Sequence, residues 1–120
     1  MTARRLLVPA LLTLVSVLAS CSGGTSDPGE CENAEPADRV QLQDFAFEPD
    51  CLVADVGASI HLENVGEAPH TFTVGGTDVD LEVEAGGSAD GSLSGVEAGR
   101  YLVTCTYHPQ MTATLTVGGQ

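Results

Sequence analysis

From residue 39 onward, apolar and polar residues alternate in short segments. Turn residues separate these segments about every ten positions, a spacing typical of a β-sandwich or barrel whose strands each bury one face. No long amphipathic helical pattern interrupts the series. We therefore predict an all-β Greek-key sandwich of about seven or eight strands. The candidate strands are residues 39–47, 51–56, 58–65, 70–75, 79–84, 88–93, 99–106 and 111–117.

The first of these segments does not keep a single phase. Val40 and Leu42 are apolar at even positions, whereas Phe45 and Phe47 are apolar at odd positions. A shift of one residue moves every side chain to the other face of a strand. We predict a bulge or a bend between the sheets near Asp44.

Alternation also predicts which polar side chains face the interior. Ile60 and Leu62 define the buried face of their strand, so His61 between them points to solvent and is a poor candidate ligand. In the next strand, His70 shares the parity of the apolar Phe72 and points inward.

Two other residues with metal-binding side chains also fall on core faces. Cys105 follows Tyr101 and Val103 in the same phase, and Met111 precedes Leu115 in the same phase. Each lies at the end of a predicted strand, on its buried side. The pattern predicts that these side chains and His70 can meet in the interior.

The first twenty residues are interpreted as a targeting signal and not as part of the fold. Two arginines precede an apolar run at residues 6–18, which is short for a membrane span and is followed by small residues. The sequence Leu18-Ala19-Ser20-Cys21 resembles a bacterial lipoprotein processing site. We predict a signal peptide at 1–20 and lipidation of Cys21. An ordinary secretory signal with an incidental cysteine is the alternative, and the export route stays open.

The segment after the signal is rich in glycine, serine, proline and acidic residues. This composition predicts a flexible tether at residues 21–37, before a single domain at 38–120. Export implies an oxidising compartment, so we predict a disulfide between Cys31 and Cys51. Cys105 is then left as a free thiol, which in that compartment requires a reason. A bound metal is such a reason.

The chain has 120 residues and a formal net charge of −13, and it contains no lysine. Nucleic acids and anionic membrane surfaces are therefore poor partners. The negative charge also keeps exported proteins soluble, so it does not by itself identify a partner. We expect a monomer that is held at the membrane through lipid on Cys21.

One short segment brings three metal-binding side chains together: Cys105-Thr-Tyr-His108-Pro-Gln-Met111. Structural zinc sites use cysteine and histidine and have little use for a thioether. Two imidazoles, one thiolate and a weak methionine ligand describe a blue-copper site. His70 is the remaining inward-facing histidine, so we predict one copper ion held by His70, Cys105, His108 and Met111.

These residues resemble those of the cupredoxins, in particular the plastocyanin and amicyanin group, and the resemblance covers nearly all of residues 38–118. The segments that carry it are Phe45-Ala-Phe47-Glu-Pro49, Val56-Gly57, Asn64, Pro69-His70-Thr71, Gly99-Arg-Tyr101 and Cys105-x-x-His108-x-x-Met111. Pro109 matches the proline after the second histidine in amicyanins, whereas Tyr107 stands where amicyanins have another proline.

The resemblance implies one type 1 copper ion that cycles between Cu(II) and Cu(I), with electrons passing through the exposed edge of His108. It also implies that Asn64 and Thr71 make hydrogen bonds that brace the ligand strands. Burial of a site with one thiolate disfavours the charged oxidised state, which predicts a comparatively high reduction potential.

The expected function is single-electron transfer, without catalysis, between redox proteins at the outer face of the bacterial cytoplasmic membrane. Redox partners are expected to dock on the loop around His108, which carries Tyr107, Pro109 and Gln110. The serious alternative is copper delivery, storage or sensing with the same ligands. A copper-free interaction domain and a Cys-His nucleophile are weaker alternatives, since the second lacks an evident third group and a substrate pocket.

Overall fold

The computed structural model describes residues 31–118. These residues form strands and turns without a helix, which confirms the all-β fold, and none of them therefore belongs to a helix able to span a membrane. The ten strands are β1 (Glu35–Pro36), β2 (Arg39–Gln43), β3 (Ala46–Glu48), β4 (Cys51–Ala54), β5 (Ser59–Asn64), β6 (His70–Val74), β7 (Asp80–Val83), β8 (Ser88–Ser92), β9 (Gly99–Thr104) and β10 (Thr112–Val117).

The strands form two sheets packed as a sandwich. One sheet has six strands in the order β1-β4-β10-β9-β6-β7, and the other has four strands in the order β3-β2-β5-β8. The core lies between the sheets, where Phe47 of β3 meets Phe72 of β6 edge to face, with ring centroids 5.8 Å apart. Burial alternates along the long strands as predicted, since Ala113, Leu115 and Val117 are buried and the threonines between them are not.

The predicted strand at 39–47 is two strands. β2 and β3 pair antiparallel with Gln43 opposite Ala46, so Asp44 and Phe45 form the turn of a hairpin. This corrects the predicted bulge or sheet-switching bend, because the phase shift marks a chain reversal within one sheet. The sequence does not indicate this turn, because Phe45 and not a glycine adopts its positive φ of +77°.

The ordered fold begins earlier than the predicted boundary at residue 38. Glu35–Pro36 pairs with β4, the amide of Ala37 donates to the carbonyl of Val53, and Ala37 is buried. Cys31 and Cys51 form a disulfide with their Cα atoms 5.5 Å apart. A two-residue edge strand is too short to show alternation, which is why composition assigned it to the tether. The predicted signal peptide, the predicted lipidation site Cys21 and residues 22–30 lie outside the described residues.

Three strand ends meet at one end of the six-stranded sheet. β9 is antiparallel to both β6 and β10, so the start of β6, the end of β9 and the start of β10 lie side by side. The pairing of Thr73 with Thr104 fixes the register. The sequence therefore folds so that His70 at the start of β6, Cys105 just after β9 and Met111 just before β10 lie at the same end of adjacent strands.

Candidate metal centre

The side chains of His70, Cys105 and His108 converge at this end of the sandwich. The Sγ atom of Cys105 lies 3.9 Å from Nδ1 of His70 and 3.5 Å from Nδ1 of His108. All three ligand atoms lie within 4.8 Å of one another. His70 and Cys105 are buried, whereas His108 is partly exposed.

Backbone hydrogen bonds close the loop that carries the second histidine. The amide of Cys105 donates to the carbonyl of Met111 at 3.1 Å, and the amides of His108 and Met111 donate to the carbonyls of Cys105 and His108. Met111 is fully buried in the same cluster as Cys105. The loop is therefore tightly folded, and it presents one histidine at the surface and one methionine to the core.

Thr71 connects the strand of the first histidine to the strand of the cysteine. Its buried amide lies 3.4 Å from the Cys105 Sγ atom and donates to it. Its hydroxyl oxygen accepts a hydrogen bond from the Thr106 amide at 2.8 Å. The first bond gives the sulfur a fixed donor in a buried site, and the second ties β6 to the start of the ligand loop.

Asn64 anchors the segment that leads into His70. Its Nδ2 donates to the carbonyls of Ala68 and Val83, and its Oδ1 accepts from the amide of Gly66. The bond to Val83 is buried, so it satisfies a carbonyl that water does not reach, whereas the other two bonds are partly buried. The loop between β5 and β6 is thus held from within.

Asp44 is a residue of the site that sequence reasoning missed. Its Oδ1 lies 3.0 Å from Nε2 of His70 and also accepts from the amide of Ala68, while Oδ2 accepts from the amide of Glu67. The amide bonds lower the pKa of Asp44, although burial opposes them, and the bond to His70 adds to the lowering. The phase shift near Asp44 was the sequence signal that marked this region.

Phe45 is a second missed residue. Its ring centroid lies 4.8 Å from that of His108 and 6.5 Å from that of His70, edge to face in both cases. The side chain is nonetheless 54% exposed. A bulky residue at positive φ is uncommon and marks positions worth examining for function.

The exposed side of the loop carries Tyr107, Pro109 and Gln110. The hydroxyl of Tyr107 donates to Oε2 of Glu82 at 2.6 Å, and this bond raises the pKa of Tyr107. Tyr107 is 48% exposed, and its ring lies 6.5 Å from that of His108. The loop histidine is therefore flanked by aromatic and apolar surface.

His61 lies apart from the site, on the outer face of the other sheet, as its parity predicted. Its Nδ1 is 2.6 Å from Oδ1 of Asp90, and the pair is exposed. Among residues 31–118, one group of metal-binding side chains lies close enough together to hold an ion, and it consists of His70, Cys105 and His108.

The convergent residues fit a metal ion. Ligand atoms bound to one ion by bonds of about 2.0–2.3 Å, the range that zinc shows, lie up to roughly 4.6 Å apart. The Sγ to Nδ1 separations of 3.5 and 3.9 Å fall within that limit, and the whole group lies within 4.8 Å, close to it. Two imidazoles and a thiolate in a buried site, with a methionine nearby, favour copper over zinc.

Comparison with known proteins identifies the family and the fold of the chain. The model of the family described as the cupredoxin-like domain matches residues 10–117. Among solved structures, an amicyanin variant in its Cu(I) form is 25% identical, with a TM-score of 0.56, and the match covers 72% of this chain and 87% of that chain. An oxidised amicyanin variant is 27% identical, with a TM-score of 0.56 and the same coverage.

A more distant match shows the fold alone. A purple cupredoxin from Nitrosopumilus maritimus is 17% identical, with a TM-score of 0.57, and the match covers 67% of this chain and 98% of that chain. No curated protein matches the chain.

Proposed function

Since the chain belongs to the cupredoxin-like domain family, we propose that it is a type 1 copper protein that transfers single electrons between redox proteins. Its ligand atoms are Nδ1 of His70, Sγ of Cys105, Nδ1 of His108 and the thioether of Met111. Copper bound there supplies the one-electron couple between Cu(II) and Cu(I). The protein makes and breaks no substrate bond in this role.

The observation that carries the proposal is the convergence of Cys105 with both histidines from separate parts of the chain. His70 and Cys105 are 35 residues apart in sequence, yet the nearest ring nitrogen and the sulfur are 3.9 Å apart in a buried site. Within the described residues, Cys105 is a free, buried thiol that lies beside the two imidazoles. Copper as the ion is supported by the amicyanin variants of the same fold that have been solved in their Cu(I) form.

The residues around the site favour a carrier over a protein that delivers, stores or senses copper. Thr71 donates to the sulfur, and the backbone of residues 105–111 is closed by its own hydrogen bonds. A site held in this way needs little rearrangement when the ion gains or loses one electron. One partner is oxidised when it gives an electron to the site, and a second is reduced when it accepts that electron.

The first experiment is titration of the reduced apoprotein with Cu(II). We expect an intense visible absorption from thiolate-to-copper charge transfer that saturates at one equivalent. Cys105→Ser should abolish that band and leave the β-sheet circular dichroism unchanged. A band that survives in Cys105→Ser, or no band in the wild type, contradicts the proposal.

The second experiment separates transfer of electrons from transfer of copper. The loaded protein is reduced and reoxidised repeatedly in the presence of a copper(I) chelator. A carrier keeps its colour through many cycles, whereas a copper-delivery protein loses metal to the chelator at each reduction. Loss of copper within the first cycles supports the handling role instead.

We also propose that the protein acts at the outer face of a bacterial cytoplasmic membrane, anchored through lipid on Cys21. The apolar run, the small residues before Cys21 and the polar segment after it support this location. The wild-type protein should incorporate radiolabelled fatty acid, and Cys21→Ser should not. Absence of label from the wild type, or label retained in Cys21→Ser, would contradict the anchor and leave the copper site unaffected.

Redox partners are proposed to dock on the surface around His108. The apolar and aromatic side chains of Phe45, Tyr107 and Pro109 surround the partly exposed ring. Encounters between redox proteins bury small areas, which suits a patch of this size. The acidic surface should speed association with a cationic partner, and a rate independent of ionic strength would count against that.

A further inference from the structure

We propose that Asp44 is a positioning residue of the copper centre, which fixes Nδ1 of His70 as the metal-binding atom and lowers the reduction potential of the site. This inference rests on the proposed function. It concerns a contact between the two sheets, because Asp44 belongs to the β2–β3 turn and His70 begins β6.

The first step is the position of the imidazole proton. A neutral imidazole has one N–H donor and one acceptor nitrogen, and a carboxylate can only accept. Since Oδ1 of Asp44 lies 3.0 Å from Nε2 of His70, the proton is on Nε2. Nδ1 is then the nitrogen with a free lone pair, and it is the one that lies 3.9 Å from the Cys105 sulfur.

The second step is that Asp44 cannot easily turn away. Its two oxygens also accept hydrogen bonds from the amides of Glu67 and Ala68, at 2.9 and 3.1 Å. Gly66 lies so close that a Cβ there would fall within 2.2 Å of Oδ1. Asn64 in turn holds the carbonyl of Ala68. The carboxylate is therefore held by three N–H donors in a space that admits no side chain at position 66.

The third step is electrostatic. A copper centre with one thiolate is formally +1 when oxidised and neutral when reduced, so a nearby negative charge favours the oxidised form. Asp44 holds that charge beside Nε2, the nitrogen of His70 that does not face the cysteine sulfur. This opposes the high potential that burial alone predicts. The potential of the centre should thus be lower with Asp44 than without it.

The first test needs neither copper nor a variant. In the reduced apoprotein, long-range ¹H–¹⁵N NMR correlations report which imidazole nitrogen carries the proton. We expect His70 to be the Nε2–H tautomer, with slow exchange of that proton because the ring is fully buried. A proton on Nδ1 of His70, or a mixture of tautomers, would overturn the proposal.

The second test compares Asp44→Asn with Asp90→Asn. Both remove one negative charge from a carboxylate bonded to a histidine, but Asp90 serves His61 on the outer face. We expect Asp44→Asn to weaken Cu(II) binding relative to Cu(I) by about tenfold. For one electron that ratio equals a rise in potential of about 59 mV. The reduction potential of Asp90→Asn should equal that of the wild type.

Equal potentials in the two variants would show that Asp44 acts only through overall charge, and the proposal would fall. If the proposed function itself is wrong, the wild type shows no charge-transfer band when Cu(II) is added. In that case the tautomer of His70 in the apoprotein still decides the role of Asp44.

Discussion

The sandwich contains two histidine–aspartate pairs, and the two differ in almost everything except their residue types. His70 and Asp44 join the two sheets at the metal end, with His70 fully buried and Asp44 33% exposed. His61 and Asp90 are neighbours on the outside of one sheet, 35% and 84% exposed. The outer pair has the shorter contact, 2.6 Å against 3.0 Å.

The length of a histidine–aspartate contact therefore does not indicate how much the contact contributes to stability or to the metal centre. An exposed pair competes with water and salt, and such pairs contribute about 0–1 kcal/mol to stability. A buried imidazole must have its polar atoms satisfied, so its partner determines the state of the ring. Burial of His70 should therefore make its pairing with Asp44 matter for the metal centre, whereas the exposed pairing of His61 with Asp90 should not.

The largest expected effect comes from removing each histidine in turn. His70→Ala deletes a ligand, so Cu(II) affinity should fall by more than the roughly 100-fold that outer-shell changes can cause. His61→Ala should leave the affinity and the visible spectrum unchanged. Competition with a chelator of known affinity measures both. A comparable loss of affinity in the two variants would contradict the assignment of His70, and not His61, to the metal centre.

The next largest effect is expected for Asn64, which holds the loop that leads into His70. Asn64→Ala leaves the buried carbonyl of Val83 without its donor and releases the bonds to Ala68 and Gly66. Leaving buried polar groups unsatisfied costs about 1–3 kcal/mol. Urea unfolding of the apoprotein should show a lower midpoint at unchanged slope.

Asp90→Ala is the matched control for that measurement, since it removes an exposed partner of His61. Surface changes of this kind stay within about 0.5 kcal/mol. If Asp90→Ala destabilised the apoprotein as much as Asn64→Ala, burial would not be what distinguishes the two regions.

A more selective change displaces Asp44 without altering the charge. The Cβ of Gly66→Ala would lie 2.2 Å from Oδ1 and 2.8 Å from Cγ of Asp44, so the carboxylate must move. Overpacking of this kind costs about 1–3 kcal/mol. The reduction potential should rise, as for Asp44→Asn but by less.

Gly99→Ala provides the control for an added methyl group. The nearest atoms to a Cβ at that position belong to Tyr101, at 3.7 Å, an ordinary contact. Its stability should change by no more than about 0.5 kcal/mol. A larger loss in Gly99→Ala than in Gly66→Ala would contradict the close approach of Gly66 to Asp44.

The sequence was sufficient to predict that His70, Cys105 and His108 converge, but not to predict the residues that hold them. Alternation placed His70 and Cys105 on core faces because strand periodicity is local and each strand is several residues long. Asp44 contacts His70 across 26 residues of sequence and from the other sheet, a relation that no local pattern contains. The turn that delivers Asp44 was hidden because Phe45 occupies its positive-φ position, where glycine or asparagine is usual.

Phe45 provides the smallest expected effect, and mainly on the partly exposed His108, whose ring is closer to it than that of His70. Its ring covers an edge of His108, and such aromatic contacts contribute about 0.5–1.5 kcal/mol. Phe45→Ala should therefore speed removal of copper by a chelator by roughly 2–10-fold, since about 1.4 kcal/mol corresponds to a factor of ten.

Alanine is the informative replacement for Phe45, because it tolerates φ +77° no better than phenylalanine does and leaves the turn strain in place. Val56→Ala is the control, since Val56 is 62% exposed in the turn between β4 and β5. Stopped-flow measurement of the decay of the visible band gives both rates. Equal rates in the two variants would show that His108 is held by its loop alone, so that the β2–β3 turn acts on the centre through Asp44 and not through Phe45.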